Sequence, residues 1–207
     1  MKKLLSFIFS LVFILYSYSQ ESQNQNLIFT GKSIDDAIKF EIKINSKVEK
    51  NYATIVLAPE LYPYVDKYEL VNPKQISRVL PKNIPANVEY FYDKNSREIK
   101  YTSYKWAFIN KIDDKTLFDR KKLKELVEKE CGELETYTKL FSELEEIITK
   151  KYALGKKSVL ENKPKDKLIE WENANSKGTL KLEFQDCSNN KNLLPGWFVV
   201  SFIEYSK

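Results

Sequence analysis

The segment Ile38-Lys39-Phe40-Glu41-Ile42-Lys43-Ile44-Asn45 decides how the first half of this chain is read. Apolar Ile38, Phe40, Ile42 and Ile44 alternate with Lys39, Glu41, Lys43 and Asn45, the period of a strand with one buried face. Ser46 to Asn51 then reads as a polar turn and Tyr52 to Ala58 as the returning strand of a hairpin. Val88 to Tyr92 and Ile99 to Ile109 form a second hairpin, joined by Asp93-Lys94-Asn95-Ser96, a composition suited to turns. Asp93-x-Asn95 lacks the glycine and closing glutamate of a calcium loop. Between the hairpins, residues 59–87 hold five of the seven prolines (Pro59, Pro63, Pro73, Pro81, Pro85), which predicts an irregular excursion. Tyr62, Tyr64 and Tyr68 give it apolar surface with which to lie against the fold.

From Thr116 to about Ala153 the period lengthens. Leu123, Val127, Cys131, Leu134, Tyr137, Phe141, Leu144 and Ile148 recur every three or four residues, as on a long amphipathic helix or a pair of helices. Asp113 and Asp114 stand where an N-terminal cap belongs, and Gly132 predicts a kink or break near Cys131. Leu168 to Glu172, Thr179 to Phe184 and Trp197 to Tyr205 read as three further strands. The expected class is α+β: an antiparallel sheet from two N-terminal hairpins and a C-terminal three-stranded meander, packed by one long amphipathic helix.

The first residues carry an address. Lys2 and Lys3 precede the apolar run Leu4 to Tyr16, and Ser17-Tyr18-Ser19 places small residues before a cleavage point. That is the layout of a secretory signal peptide over residues 1–19, and the apolar run is shorter than the roughly 20 residues a membrane span needs. Residues 20–26 are a polar flexible tail, and 27–207 are expected to form one domain with no membrane span. The expected location is outside the cytoplasm, periplasmic or secreted. Removing residues 1–19 deletes two lysines, so the net charge falls from +5 to +3. Of 34 basic residues only Arg78, Arg97 and Arg120 are arginine, the residue that binds phosphate and guanine edges bidentately, so nucleic acid is not the expected partner.

Export gives Cys131 and Cys187 two readings. They form a disulfide closing a loop of about 55 residues, worth about 4 kcal/mol in the chain-entropy description, or they are two unpaired buried thiols. The chain has no histidine, which removes the usual triads and His-based metal sites; two cysteines alone cannot build a zinc site. No cofactor or metal is expected. Remaining catalytic arrangements are carboxylate pairs, such as Glu170 and Glu172 flanking Trp171, and the string Ser188-Asn189-Asn190-Lys191, which lies in a polar turn without its required context. Aromatic residues crowd the second hairpin, and Tyr90, Tyr92, Tyr104 and Trp106 are the candidate ligand-binding residues if surplus rings form a platform. The competing reading is strand propensity, with the rings covered on both faces.

The run Ile148-Thr149-Lys150-Lys151-Tyr152-Ala153-Leu154-Gly155-Lys156-Lys157, with Glu170-Trp171, Leu180 to Phe184 and Val199 to Phe202, resembles a layout in uncharacterised exported α+β bacterial proteins. In them a helix ends in Lys-Tyr-Gly-x-Pro and a Trp-bearing strand and antiparallel strands follow. Here Ala153-Leu154 precede the glycine and the proline comes at Pro164. The resemblance implies a fold and no activity. The function expected is a non-catalytic binding or interaction module of the cell envelope, its partner an envelope protein or a glycan. The alternatives are a carboxylate-based hydrolase acting on glycan and an oligomeric structural protein assembling through the long helix; a monomer is preferred to a helix-mediated dimer.

Overall fold

A computed structural model describes residues 27–48, 57–79, 84–111, 116, 119–130, 134–153, 155–163, 166–185 and 197–207. The leader 1–19, the tail 20–26, Cys131, Cys187, Asp113, Asp114 and Ser188 to Lys191 lie outside these residues, as do Glu49 to Val56 of the expected first hairpin.

The segment that alternates so regularly is a helix. Helix α1 spans Ile34–Lys43. Its start is capped by Ser33, whose hydroxyl accepts from the Asp35 N–H at 3.1 Å, with Asp35 and Asp36 in the first turn and Lys43 in the last. Its end is a Schellman turn: Asn45 takes a left-handed φ of 59°, the Ser46 N–H donates to Glu41 O at 2.9 Å, and the Asn45 N–H donates to Ile42 O at 3.0 Å. The buried stripe is Ile34, Ala37 and Glu41. A carboxylate therefore occupies a core position of the helix, and Ile42, apolar, is left 62% exposed. That exchange disguised the helical period as an alternating one.

After α1 come β1 (Lys47–Val48), β2 (Leu70–Val79), β3 (Pro85–Asp93) and β4 (Ile99–Ala107). Helices α2 (Arg120–Glu130) and α3 (Leu134–Lys151) follow, then β5 (Lys156–Lys163), β6 (Asp166–Glu172), β7 (Ser176–Gln185) and β8 (Trp197–Ser206). All pairings are antiparallel, in one eight-stranded sheet of order β1-β2-β3-β4-β8-β7-β6-β5. The chain writes one arrangement twice, a helix followed by a four-stranded meander, and joins the two meanders along β4 and β8.

The fold class holds as α+β with an antiparallel sheet, and its parts are revised. The expected first hairpin is replaced by α1 and the short β1, and the C-terminal meander has four strands, because β5 precedes the expected three. The excursion expected over 59–87 is partly strand, and its residues 80–83, with Pro81, lie outside the described residues: Pro73 sits at a β-bulge between Val71 and Lys74, and Pro85 opens β3, two positions where a strand tolerates a missing donor. The helical region holds α2 up to Glu130 and α3 from Leu134, and the kink or break expected near Cys131 lies outside the described residues. No helix among the described residues is long and apolar enough to cross a membrane.

One row of directly paired residues runs through every strand: Val48, Ile76, Val88, Tyr104, Phe202, Leu180, Ile169 and Val159. The six inner members are buried and the two on the outer strands are exposed. Paired side chains share a sheet face, and into the core on this face α1 sends Ile34 and Ala37. From α3 the stripe Tyr137, Leu140, Phe141, Leu144 and Ile148 enters the same core. On the opposite face, residues 57–68 fold over part of β3, β4 and β8, where Leu57 and Tyr62 pack with Phe91 and Tyr101.

Candidate functional site

The four aromatic candidates lie in the core. Tyr90, Tyr92, Tyr104 and Trp106 are between 0 and 8% exposed, on the helix-covered face. Tyr104 stacks on Trp106 at 5.4 Å and meets Tyr90 edge-on at 6.1 Å. Their rings pack against the protein itself and offer no strip to solvent. The surplus is absorbed by two cores on opposite sheet faces, which alternation along β3 and β4 fills with Tyr90 and Tyr104 on one side and Phe91 and Tyr101 on the other.

Beneath α1 the core holds a polar network that the sequence did not single out. Arg78 of β2 pairs with Glu41 through Nε, at 2.7 Å from Oε2, and through Nη2 to Oε1; Nη1 donates to Leu27 O at 2.8 Å. The Tyr90 hydroxyl donates to Glu41 Oε1 at 2.6 Å and lies 3.0 Å from the Tyr104 hydroxyl, and Ser46 Oγ donates to Glu41 Oε2 at 2.7 Å. Burial acts to lower the Arg78 pKa; Tyr104, the hydrogen bonds and charge of Glu41, and Tyr90 together outweigh it, so the guanidinium stays charged. Glu41, Arg78, Tyr90 and Tyr104 are buried and engaged with one another, with Ser46 closing the network at its partly exposed rim, so this cluster fixes α1 on the sheet.

An accessible groove opens at the sheet's midline. The β4–β8 ladder stops at Tyr101 and Tyr205. Beyond that pair β4 continues against β3 as far as Ile99, and β8 continues against β7 as far as Ser206, so the two halves of the sheet part. The strand position vacated beside β4 is taken by Lys32–Ser33: the Ile99 N–H donates to Lys32 O at 2.7 Å and the Ile34 N–H to Arg97 O at 3.1 Å. Between this wedge and the β6–β7 turn lies a groove of about 300 Å³. Thr30, Lys32, Glu98 and Lys100 line one wall, Asn175, Ser176, Ser206 and Lys207 the other, with Thr102, Lys151 and Glu204 between them.

Local chemistry positions each of these groups. Lys100 is the extra residue of a bulge where the β3–β4 register shifts, and its ammonium sits 2.7 Å from Glu98 and 4.5 Å above the Tyr68 ring. Lys151, in the last turn of α3, donates to Glu204 Oε2 at 2.6 Å, while the neighbouring Tyr152 hydroxyl donates to Oε1 at 3.0 Å. Burial, and then the charge of Glu204, push the Tyr152 hydroxyl well above its ordinary pKa, so it remains a donor. Lys207 donates to Glu172 Oε1 at 2.6 Å and to Asn173 O at 2.8 Å. The Lys100 hydrogen bond and charge hold the Glu98 carboxyl below its usual range, with Lys32 adding to the effect.

The sequence-named carboxylate pair is spoken for. Glu170 lies 3.0 Å from Lys177 and Glu172 is held by Lys207, which lowers its pKa. Wherever a carboxyl is perturbed among the described residues (Asp35, Asp93, Glu98, Glu172) the direction is downward. Glycoside hydrolysis asks for a carboxyl moved the other way. No group of three cysteine or carboxylate side chains among the described residues converges on a metal position. The groove residues escaped the sequence reading because four lysines among 31 carry no local signature. The nearest signal is the repeated turn motif, Asp93-x-Asn95-Ser96 and Asn173-x-Asn175-Ser176, each opening with an acceptor for the two following N–H groups.

No protein-family model, no curated protein and no solved structure matches this chain.

Proposed function

We propose that this chain is an exported, non-catalytic binding module of the cell envelope, and that the midline groove is where it binds. The export reading rests on the N-terminal pattern of Lys2, Lys3 and the apolar run that follows. The observation that carries the binding reading is the parting of β4 and β8, which opens a groove lined by charged, hydroxyl and aromatic side chains. A volume of about 300 Å³ is at the lower end for small-molecule sites. The carboxylate-hydrolase alternative loses support because Glu170 and Glu172 are each paired with lysine. Assembly through the long helix loses support because the α3 stripe is spent on the sheet.

The test is a titration of the isotopically labelled chain with glycan fragments released from envelope material, followed by amide chemical shifts. Binding should move Lys32, Thr102, Ser176 and Ser206 and leave the β5–β6 edge still. Release of new reducing ends during the titration would replace this reading with the hydrolase one, and shifts confined to other surfaces would remove the groove from it.

A further inference from the structure

We infer that the groove selects an anionic saccharide, one bearing carboxylate or sulfate groups; this deepens the binding reading above and rests on it. Four lysines line the groove (Lys32, Lys100, Lys151 and Lys207) against three carboxylates, Glu98 and Glu204 in the lining and Glu172 beside it on Lys207, which leaves one cation in excess. These carboxylates act as internal counterions that hold ammonium groups in place. The Lys100 side chain is only 11% exposed and the Lys151 side chain 23%, so their stems are packed while their charged ends face the groove lining. An ammonium has three donors, and the bonds to Glu98 and Glu204 use one on each lysine. The ordering entropy of these two long side chains is already spent in the free protein, which is what preorganisation for an anion requires.

Lys32 differs from the other three. Its ammonium acts on Glu98 at longer range and its backbone carbonyl is fixed by Ile99. It is the cation best able to turn to a ligand.

Saccharide chemistry fits the rest of the lining better than a peptide. Thr30, Thr102, Ser176 and Ser206 present hydroxyls and Asn175 an amide, which donate to and accept from sugar hydroxyls. Phe29, Tyr68 and Tyr205 add aromatic faces on which a sugar ring can stack, and the β4 backbone edge a peptide strand would need is occupied by Lys32–Ser33.

Isothermal titration calorimetry of the chain with trigalacturonate, sulfated maltotriose, neutral maltotriose and triglutamate separates the readings. At least one charged saccharide should bind about tenfold tighter than maltotriose, with the advantage shrinking several-fold as salt rises from about 0.05 to about 0.2 M. Lys32→Gln should weaken that binding several-fold, and Lys105→Gln, on β4 but outside the groove lining, should leave it unchanged. Equal binding of maltotriose overturns charge selection while the groove stands as a sugar site. Tighter triglutamate overturns the saccharide assignment. Absence of binding by both charged saccharides overturns this inference outright, and the envelope-glycan titration then decides the binding module separately.

Discussion

Glu41 and Arg78 meet inside the protein with side chains 0% and 1% exposed, one on α1 and the other on β2, and each satisfies the other's charge. Two charges removed from water cost several kcal/mol each unless paired, so the pair is a matching condition more than a source of stability. α1 can dock on the sheet in one register only, the one that brings Glu41 to Arg78.

Breaking the pair should therefore hurt more than replacing it. Arg78→Met, which strands the Glu41 carboxylate, is expected to cost about 3–5 kcal/mol in urea unfolding, and Glu41→Leu with Arg78→Met together appreciably less. A double variant as unstable as the sum of its parts would mean that the two side chains act independently and that the matching condition is absent.

Gly178 and Gly155 allow two close approaches. A Cβ on Gly178 would lie 3.0 Å from the Tyr152 hydroxyl and 3.2 Å from a Phe202 ring carbon; one on Gly155 would lie 2.8 Å from the carbonyl oxygen of Glu172. Gly178→Ala and Gly155→Ala should each destabilise by about 1–3 kcal/mol. Gly178→Ala should also displace Tyr152 from Glu204, seen as a shifted Tyr152 ring resonance. An unchanged melting temperature for both would contradict the packing described.

Arg97 adopts a left-handed φ of 57° while its guanidinium makes two bonds to Asp35, at 2.6 and 2.8 Å. Glycine removes the backbone strain along with the exposed pair, and valine keeps the strain and adds a branched Cβ. Melting should rank Gly and Arg within about 2 °C of each other and Val clearly below both. A glycine variant as unstable as valine would show that the Asp35 contact dominates.

Alkaline titration should find the phenols divided. Burial raises Tyr101 and Tyr104 to about 12, and Tyr62, Tyr90 and Tyr152 are also pushed up, again mainly by burial. A phenol with a raised folded pKa stabilises the fold below its unfolded value near 10, and that contribution is lost as pH rises toward the folded value. Absorbance at the phenolate band should show these five titrating only as the protein unfolds, above roughly pH 11. The lowered carboxyls of Asp35, Asp93, Glu98 and Glu172 act at the other end, present at neutral pH and lost as pH falls below about 4.

Strands with one buried face and a recognisable turn were legible in the sequence. β3 and β4 meet at Asp93, whose carboxylate accepts the Asn95 and Ser96 N–H groups as the turn composition implies. β7 shows its alternation directly, with Leu180 and Leu182 buried and Lys181 and Glu183 on the far face. α1 was hidden because its core position is a glutamate whose partner lies 37 residues away, a compensation that local periodicity cannot register. β5 was hidden for the opposite reason: as an outer strand it opens Lys156-Lys157-Ser158-Val159, none of them buried, so nothing there enforces a pattern. The groove depends on where two ladders stop, and no run of residues encodes that.

The place of β8 also governs the order in which this molecule can come together. Each meander closes on near neighbours, but the seam pairs Tyr101 with Tyr205 and Ala107 with Val199, so it forms only when the last strand reaches the middle of the sheet. Until then β4 and β7 are both open edges, templates for pairing with another chain. Contacts across so much sequence make for slow closure, and the seam rather than either half should set the folding rate. A chain halted before Trp197 would hold both meanders' outer pairings and lack the one strand that makes them a single sheet.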